Sequence, residues 1–357
     1  MAKMGNASNT SVFTSTLSER EDLIFGTLYL VFGLVSLLGN SLLLLVAYRK
    51  RSTLKPAEFF IVNLAVSDLS MTVTLFPLAT PSFFAHRWLF NQAMCTIYAF
   101  CGVLFGLCSL TSLTVLSAVC CLKVCYPAYG NKFSPSHAGV LLLCVWAYAL
   151  LFAMAPLAEW GSYGPEPYGT ACCITWEASS QEATLYILAL FIFCYLLPCL
   201  LILVSYSLIL WTVQVSRRAV RQHVSPQRRA GGMHGPMVKL SIAVCLGFLA
   251  AWTPYAVVAL WAVCRGASQV PALAFVLSAC LCQVLDALQP AGVSALQAQL
   301  LQVPLQRHCA PPGHPHCPLL WLPGHRAPAL PTWRCQYPLL PGLQPPPWGL
   351  QELQRCF

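Results

Sequence analysis

The sequence predicts an all-α membrane protein, a bundle of seven transmembrane helices whose seventh helix is degraded. Three observations predict it. Of the 357 residues, 57% are hydrophobic and only 9% are charged, whereas a soluble domain carries roughly 25% charged residues. So few charges cannot cover a water-facing surface, and the bilayer is the solvent that suits this composition. The apolar residues gather in blocks of about 20, the length that crosses a membrane as a helix. The basic residues sit in short clusters between the blocks, as they do in cytoplasmic loops.

Taken in order, residues 1–22 form a polar N-terminal tail with two glycosylation sequons, at Asn6 and Asn9. No cleavable signal peptide is expected, because the first apolar run is too long for a signal core. Six spans are predicted at Leu23–Tyr48, Phe59–Phe84, Met94–Leu122, Val140–Ala158, Thr184–Val213 and Val238–Cys264, and a weaker seventh at Val270–Leu288. The bundle is assigned to residues 23–280 and a proline-rich, disordered tail to 281–357. That tail holds only two acids, Asp286 and Glu352, and is crowded with proline, including Pro345, Pro346 and Pro347. Such a composition builds no packed core.

Loop charge sets the orientation. Arg49, Lys50, Arg51 and Lys55 follow the first span, Lys123 and Lys132 the third, and Arg217, Arg218, Arg221, Arg228 and Arg229 the fifth. The other side carries Glu19, Glu21, Asp22, Glu159, Glu166 and Glu177. The N-terminus is therefore expected outside. The net charge of +9 belongs to this asymmetry and implies no nucleic-acid partner. Most of the 19 cysteines lie within apolar blocks, where they pack as small hydrophobes rather than form a disulfide framework. No metal-binding or catalytic cluster is expected.

Several spans carry polar or helix-bending residues. Asn40 in the first and Asp68 in the second are candidates for an intramembrane polar network, since a buried polar group at membrane depth is costly unless it is partnered. Pro77, Pro156, Pro198 and Pro254 each remove a backbone donor and bend their helices. Trp252-Thr253-Pro254-Tyr255 sets two aromatics beside such a bend, with Phe248 one turn earlier. Cys95 opens the third span on the outer side, and Cys172 and Cys173 lie in the outer loop before the fifth. A bridge from Cys95 to one of the two suits an oxidising compartment.

Gly39-Asn40, the LAVSD run ending at Asp68, Cys95, Trp146, Pro198 with Tyr206, and Phe248 with the Trp252–Tyr255 motif together resemble the rhodopsin-like G-protein-coupled receptors. The segments RKRSTLKPAEFFIVNLAVSDL, HRWLF, LKVCYPAYG, WAYA, YGPEPYGTAC and GFLAAWTPYAVVALW resemble opsins, in particular the non-visual neuropsin group, over about residues 23–280. The resemblance implies a seven-helix receptor bundle in the plasma membrane, retinal as the cofactor, and a heterotrimeric G protein beside membrane lipid as partners. It implies a Cys95–Cys172 bridge, Glu166 as the counterion, and Tyr98, Trp252 and Tyr255 in the chromophore pocket. Tyr98 stands where visual opsins carry their counterion glutamate, and neuropsins are similar in having tyrosine there.

Two departures follow from the same resemblance. The acidic-arginine-aromatic triplet that closes the third span reads Val119-Cys120-Cys121, and the acidic partner at the start of the sixth is replaced by His234, so no charged latch is expected and G-protein coupling is expected to weaken. The retinal-binding lysine of the seventh span falls at Gln283, and the Asn-Pro-x-x-Tyr turn at Gln289–Val293. An imine needs a primary amine, so covalent retinal binding is not expected. Lys239, the one lysine near a pocket-forming span, precedes Trp252 by about 13 residues, roughly 20 Å along a helix. One set of codons for CQVLDALQPAGVS at 282–294, shifted by one nucleotide, reads AKSSTLYNPLVYL, which restores both the lysine and the turn. The chain is therefore expected to run out of frame from near Cys280. The expected function is light sensing by an opsin-like receptor rather than an enzyme. The alternatives are a retinal photoisomerase of the retinochrome type and a non-functional product of a damaged or misread gene.

Overall fold

The computed structural model describes residues 13–177, 180–223, 235–284 and 287, with side chains omitted over 217–223 and 235–241. Within them the chain is helical apart from one short hairpin and its loops. Helix α1 (Glu19–Arg49) begins at a capping box: the Ser18 hydroxyl accepts from the Glu21 amide, and the Glu21 carboxylate accepts from the Ser18 amide at 2.9 Å. Glu19, Glu21 and Asp22 fill its first turn and Arg49 its last, each matching the helix dipole. Helix α2 (Glu58–Phe84) carries Pro77 and Pro81 inside it. Helix α3 (Gln92–Cys125) is capped by Asn91, whose side chain accepts from the Met94 amide at 3.0 Å. A single turn, α4 (Pro127–Gly130), leads to α5 (Pro135–Met154), which a Ser134–His137 capping box with proline at the first position begins earlier than apolarity alone predicts. A 3₁₀ turn, Ala155–Ala158, extends α5.

Strands β1 (Tyr163–Pro165) and β2 (Cys172–Ile174) pair antiparallel, with Pro165 opposite Cys172 and Gly164 opposite Cys173. The fifth span has two parts, α6 (Gln181–Phe191) and α7 (Leu197–His223), joined by a π turn at Ile192–Leu196. Pro198 is the physical reason: it has no N–H to give to the carbonyl of Cys194, and the widened turn takes up the defect. Helix α8 (Gly235–Arg265) contains Pro254, and α9 (Ala272–Val284) is shorter. Among the described residues, six helical segments are long and apolar enough to cross a membrane, in the order the sequence predicts. Helix α9 runs through Val284, past the boundary placed at Cys280, because Leu281, Cys282 and Val284 extend its apolar run.

Helix α3 packs against α2, α5, α7, α8 and both strands, and thereby forms the axis of the bundle. The peripheral helices face the other way: Leu38 of α1 is 64% exposed and Leu143 of α5 is 72% exposed, an arrangement that suits lipid and not water. The interior has one large cluster at the end where α1 begins, around Phe83, Tyr168, Tyr186 and Phe275. A second lies toward the opposite end, around Phe60, Leu113, Leu116, Ile209 and Phe248.

The residues before α1 strap this first end. Thr14 pairs with Arg87, the Ser15 amide donates to the His86 carbonyl at 3.1 Å, and the Thr16 amide donates to the Tyr168 carbonyl at 3.3 Å. Gly169 permits the approach: its φ is +82°, and a Cβ there would lie 2.2 Å from the Thr14 carbonyl oxygen. Asp22, buried in α1, pairs with His86.

Candidate functional site

A disulfide joins Cys95, at the start of α3, to Cys172 of β2, with the two Cα atoms 5.4 Å apart. It fastens the hairpin across the end of the bundle. The register of β1 and β2 decides which of the two adjacent cysteines takes part. Beneath the hairpin lies a cavity of about 210 Å³, far more than the roughly 10–15 Å³ that one water occupies. It is lined by α2, α3, β2, α6, the π turn, α8 and α9, with Tyr29 from α1, Glu166, Tyr168 and Ala171 from the hairpin loop and Trp176 just after β2, and its walls are mostly apolar.

Glu166 stands in this cavity although it belongs to the loop after β1 and is only 7% exposed. Its amide donates to the Ala171 carbonyl at 2.8 Å, which holds the loop closed. Its Oε1 accepts from the Tyr255 hydroxyl of α8 at 2.5 Å, and the Trp176 indole N–H donates to the Tyr255 oxygen at 3.3 Å. The Oε2 atom is buried with no hydrogen-bond partner. Burial pushes the carboxyl up to about 7, against the opposing pull of Tyr255 and Cys173.

The other expected pocket residues meet here. Tyr98 of α3 lines the cavity and is braced edge-on by Trp88 at 5.4 Å. Trp252 forms part of the wall and stacks on Phe248 at 5.6 Å. Gly106 of α3 makes room for it, since a Cβ there would meet the indole at 3.3 Å. Gln283 of α9 lines the same cavity, and no lysine, arginine or histidine does so among the described residues. Tyr168 and Trp176 also line it and were not singled out from the sequence, and so does Cys173, which was read there only as a possible bridge partner. Tyr168 lies in a segment the opsin resemblance already quotes, but nothing local marks Trp176, which approaches only because β2 is pinned. Cys173, left over from the bridge, is a thiol that burial pushes up to about 12.

Asn40 and Asp68 are buried within the helical bundle and do not line the cavity. The Asn40 amide donates to the Ser36 carbonyl at 3.1 Å and to its hydroxyl at 3.2 Å. Ser36 pairs with the Thr72 hydroxyl at 2.8 Å, which donates to the Asp68 carbonyl at 2.8 Å. The Ser109 hydroxyl donates to the Asp68 carboxylate at 3.1 Å. These bonds link α1, α2 and α3. At the far end of α3, Val119, Cys120 and Cys121 are all buried, and near them the Tyr206 hydroxyl and the Cys245 thiol lie 3.3 Å apart. Asn6, Asn9, His234, the Gln289–Val293 turn and most of 281–357 lie outside the described residues.

This geometry has known counterparts. Residues 39–291 match the model of the 7 transmembrane receptor (rhodopsin family). The chain is 37% identical over 251 residues to Opsin-5 of Mus musculus, covering 70% of this chain and 67% of that protein. The human Opsin-5 is also 37% identical, with 70% of this chain and 71% of that one covered. A Melanopsin-like protein of Danio rerio is 33% identical over 246 residues, 67% of this chain and 49% of its own length. Among solved structures, squid rhodopsin superposes with a TM-score of 0.73 at 25% identity, covering 80% of this chain and 81% of that one.

Proposed function

The chain belongs to the rhodopsin family of seven-transmembrane receptors and is an opsin-like, multi-pass member of it; we propose that its cavity holds a retinoid-like ligand without a covalent anchor and relays its presence to the opposite end of the bundle. The observation that carries this reading is the cavity itself: apolar, closed over by a disulfide-fastened hairpin, and bounded by Gln283 where the family's chemistry calls for an amine. The walls fit the polyene of retinal, the opsin chromophore. They do not fit its imine, because an amide nitrogen does not condense with an aldehyde. Retinal supplies light absorption when bound to an opsin.

In this chain the hairpin excludes water, and the Glu166–Tyr255 hydrogen bond ties it to α8. Trp252 lies two residues before Pro254, so a ligand that displaces the indole bears on the bend of α8 and, through it, on the far half of that helix. We assign that far end to the cytoplasm and the N-terminus to the exterior of the plasma membrane, from loop charge. A heterotrimeric G protein is the partner there. With Cys120 in the arginine position, the contact it makes is weakened. Asn40 and Asp68 are assigned to a polar network that holds α1, α2 and α3 in register. Residues 281–357 are assigned to a tail whose frame has shifted, and 23–280 to the receptor bundle.

Titration of the purified chain with retinal, read by quenching of tryptophan fluorescence, tests the pocket. Reversible, saturable quenching that Gly106→Leu abolishes is the expected result. No quenching by retinal or retinol would overturn the reading of the cavity as a retinoid site.

A further inference from the structure

We propose that the natural ligand of this cavity is an apolar molecule that carries its own protonated amine, and that the ammonium pairs with Oε2 of Glu166. The proposal rests on the cavity being the ligand site and adds the ligand's charge. One oxygen of the Glu166 carboxylate accepts from Tyr255, the other is buried with no hydrogen-bond partner, and Glu166 is among the residues that line the cavity. A buried acceptor left without a partner is destabilising, and a ligand donor that reaches it recovers the loss.

The groups that face the carboxylate supply no positive charge. They are Tyr29 from α1, Tyr98 from α3, Tyr168 from the hairpin loop, Cys173 from β2 and Tyr255 from α8. Four are phenols, and the thiol is a weak donor. No lysine, arginine or histidine lines the cavity among the described residues, and Gln283 offers a neutral amide. The cation must therefore come with the ligand.

The walls suit such a guest. Tyr98, Tyr168, Trp176, Trp252 and Tyr255 line the cavity, and aromatic rings attract a desolvated ammonium. The remainder of the cavity is apolar and suits a hydrocarbon body. An anionic ligand would meet Glu166 as a like charge, and a neutral one would leave Oε2 without an ionic partner.

The test uses the full chain in detergent at about pH 8, above the titration of Glu166, with tryptophan quenching as the readout. Retinylamine, retinol and retinoic acid share a polyene body and differ in charge, and phenethylamine carries the same charge on a small aromatic body. The expected result is that an amine binds about tenfold or more tightly than retinol, with retinoic acid weakest, and that in Glu166→Gln the ratio of amine to retinol affinity falls to about one. Whichever amine binds more tightly identifies the body the cavity prefers. Equal binding of retinylamine and retinol, with phenethylamine no tighter, would overturn the proposal and leave the retinoid reading intact. An amine preference that survives in Glu166→Gln would overturn the assignment of the carboxylate. Failure of every probe would overturn both readings. If Glu166→Gln does not fold, the amine-to-retinol ratio on the native chain decides.

Discussion

At the scale of the residue, Glu166 concentrates the chemistry of the site. Its folded-state carboxyl titrates near 7 because it is buried, against an ordinary value of 4.5. The folded chain therefore holds the proton more tightly than the unfolded one. The stability this contributes is fully present below about 4.5 and is lost as pH rises through about 7, where the carboxylate must ionise inside the cavity. A shift of that size is worth a few kcal/mol. Thermal denaturation of the ligand-free chain between about pH 5 and pH 8 should show a fall in melting temperature that Glu166→Gln flattens. An unchanged pH profile in the variant would contradict the placement of Glu166 in an apolar setting. The resemblance of YGPEPYGTAC to opsin segments was enough to single out this residue from the sequence. The orphaned Oε2 was not legible there, because it depends on where Tyr255, far along the chain, places its hydroxyl.

At the scale of the element, the hairpin β1–β2 does most to make the site. Its strands are three residues long, too short to stand alone, so they rely on the Cys95–Cys172 bridge and on the strap of residues before α1. Cys172→Ser should lower the melting temperature and abolish retinol binding, whereas Cys173→Ser should leave the bridge intact, as peptide mapping without reductant would show. Loss of a native bridge costs about 2–5 kcal/mol in small secreted domains. Finding Cys95 joined to Cys173 would contradict the register. Gly169→Ala should also loosen the strap, since it sets a Cβ against the Thr14 carbonyl at a positive φ. Limited proteolysis near Thr14 is the readout, with faster cleavage expected in the variant.

The helices were legible to different degrees. Six spans follow from apolar length, but α1 begins at Glu19 rather than at the expected Leu23, because the Ser18–Glu21 capping box carries the helix into polar residues of the expected tail. The π turn in the fifth span was not legible: Pro198 announces a bend, but whether the chain widens or kinks depends on the helices packed beside it. Position alone left Cys172 and Cys173 equivalent and the opsin resemblance picked Cys172, the one bonded to Cys95 in the structure, where strand pairing sets Cys172 opposite Pro165 and Cys173 opposite Gly164.

At the scale of the whole molecule, charge asymmetry and the order of spans make one claim about topology. The segment from Arg217 to Arg229 should face the cytoplasm, so protease added to intact cells should spare it and cleave it only after permeabilisation. Cleavage in intact cells would reverse the assignment. The opsin-like bundle encloses a cavity proposed to hold a retinoid, with Gln283 in place of the anchoring amine. Incubation with retinal followed by borohydride, with mass spectrometry of the tryptic peptides, tests it most directly on the native chain and on Gln283→Lys. The account predicts no adduct on the native chain and a reduced retinyl-lysine at position 283 in the variant. An adduct on the native chain, or none in a folded variant that still binds retinol, would contradict it.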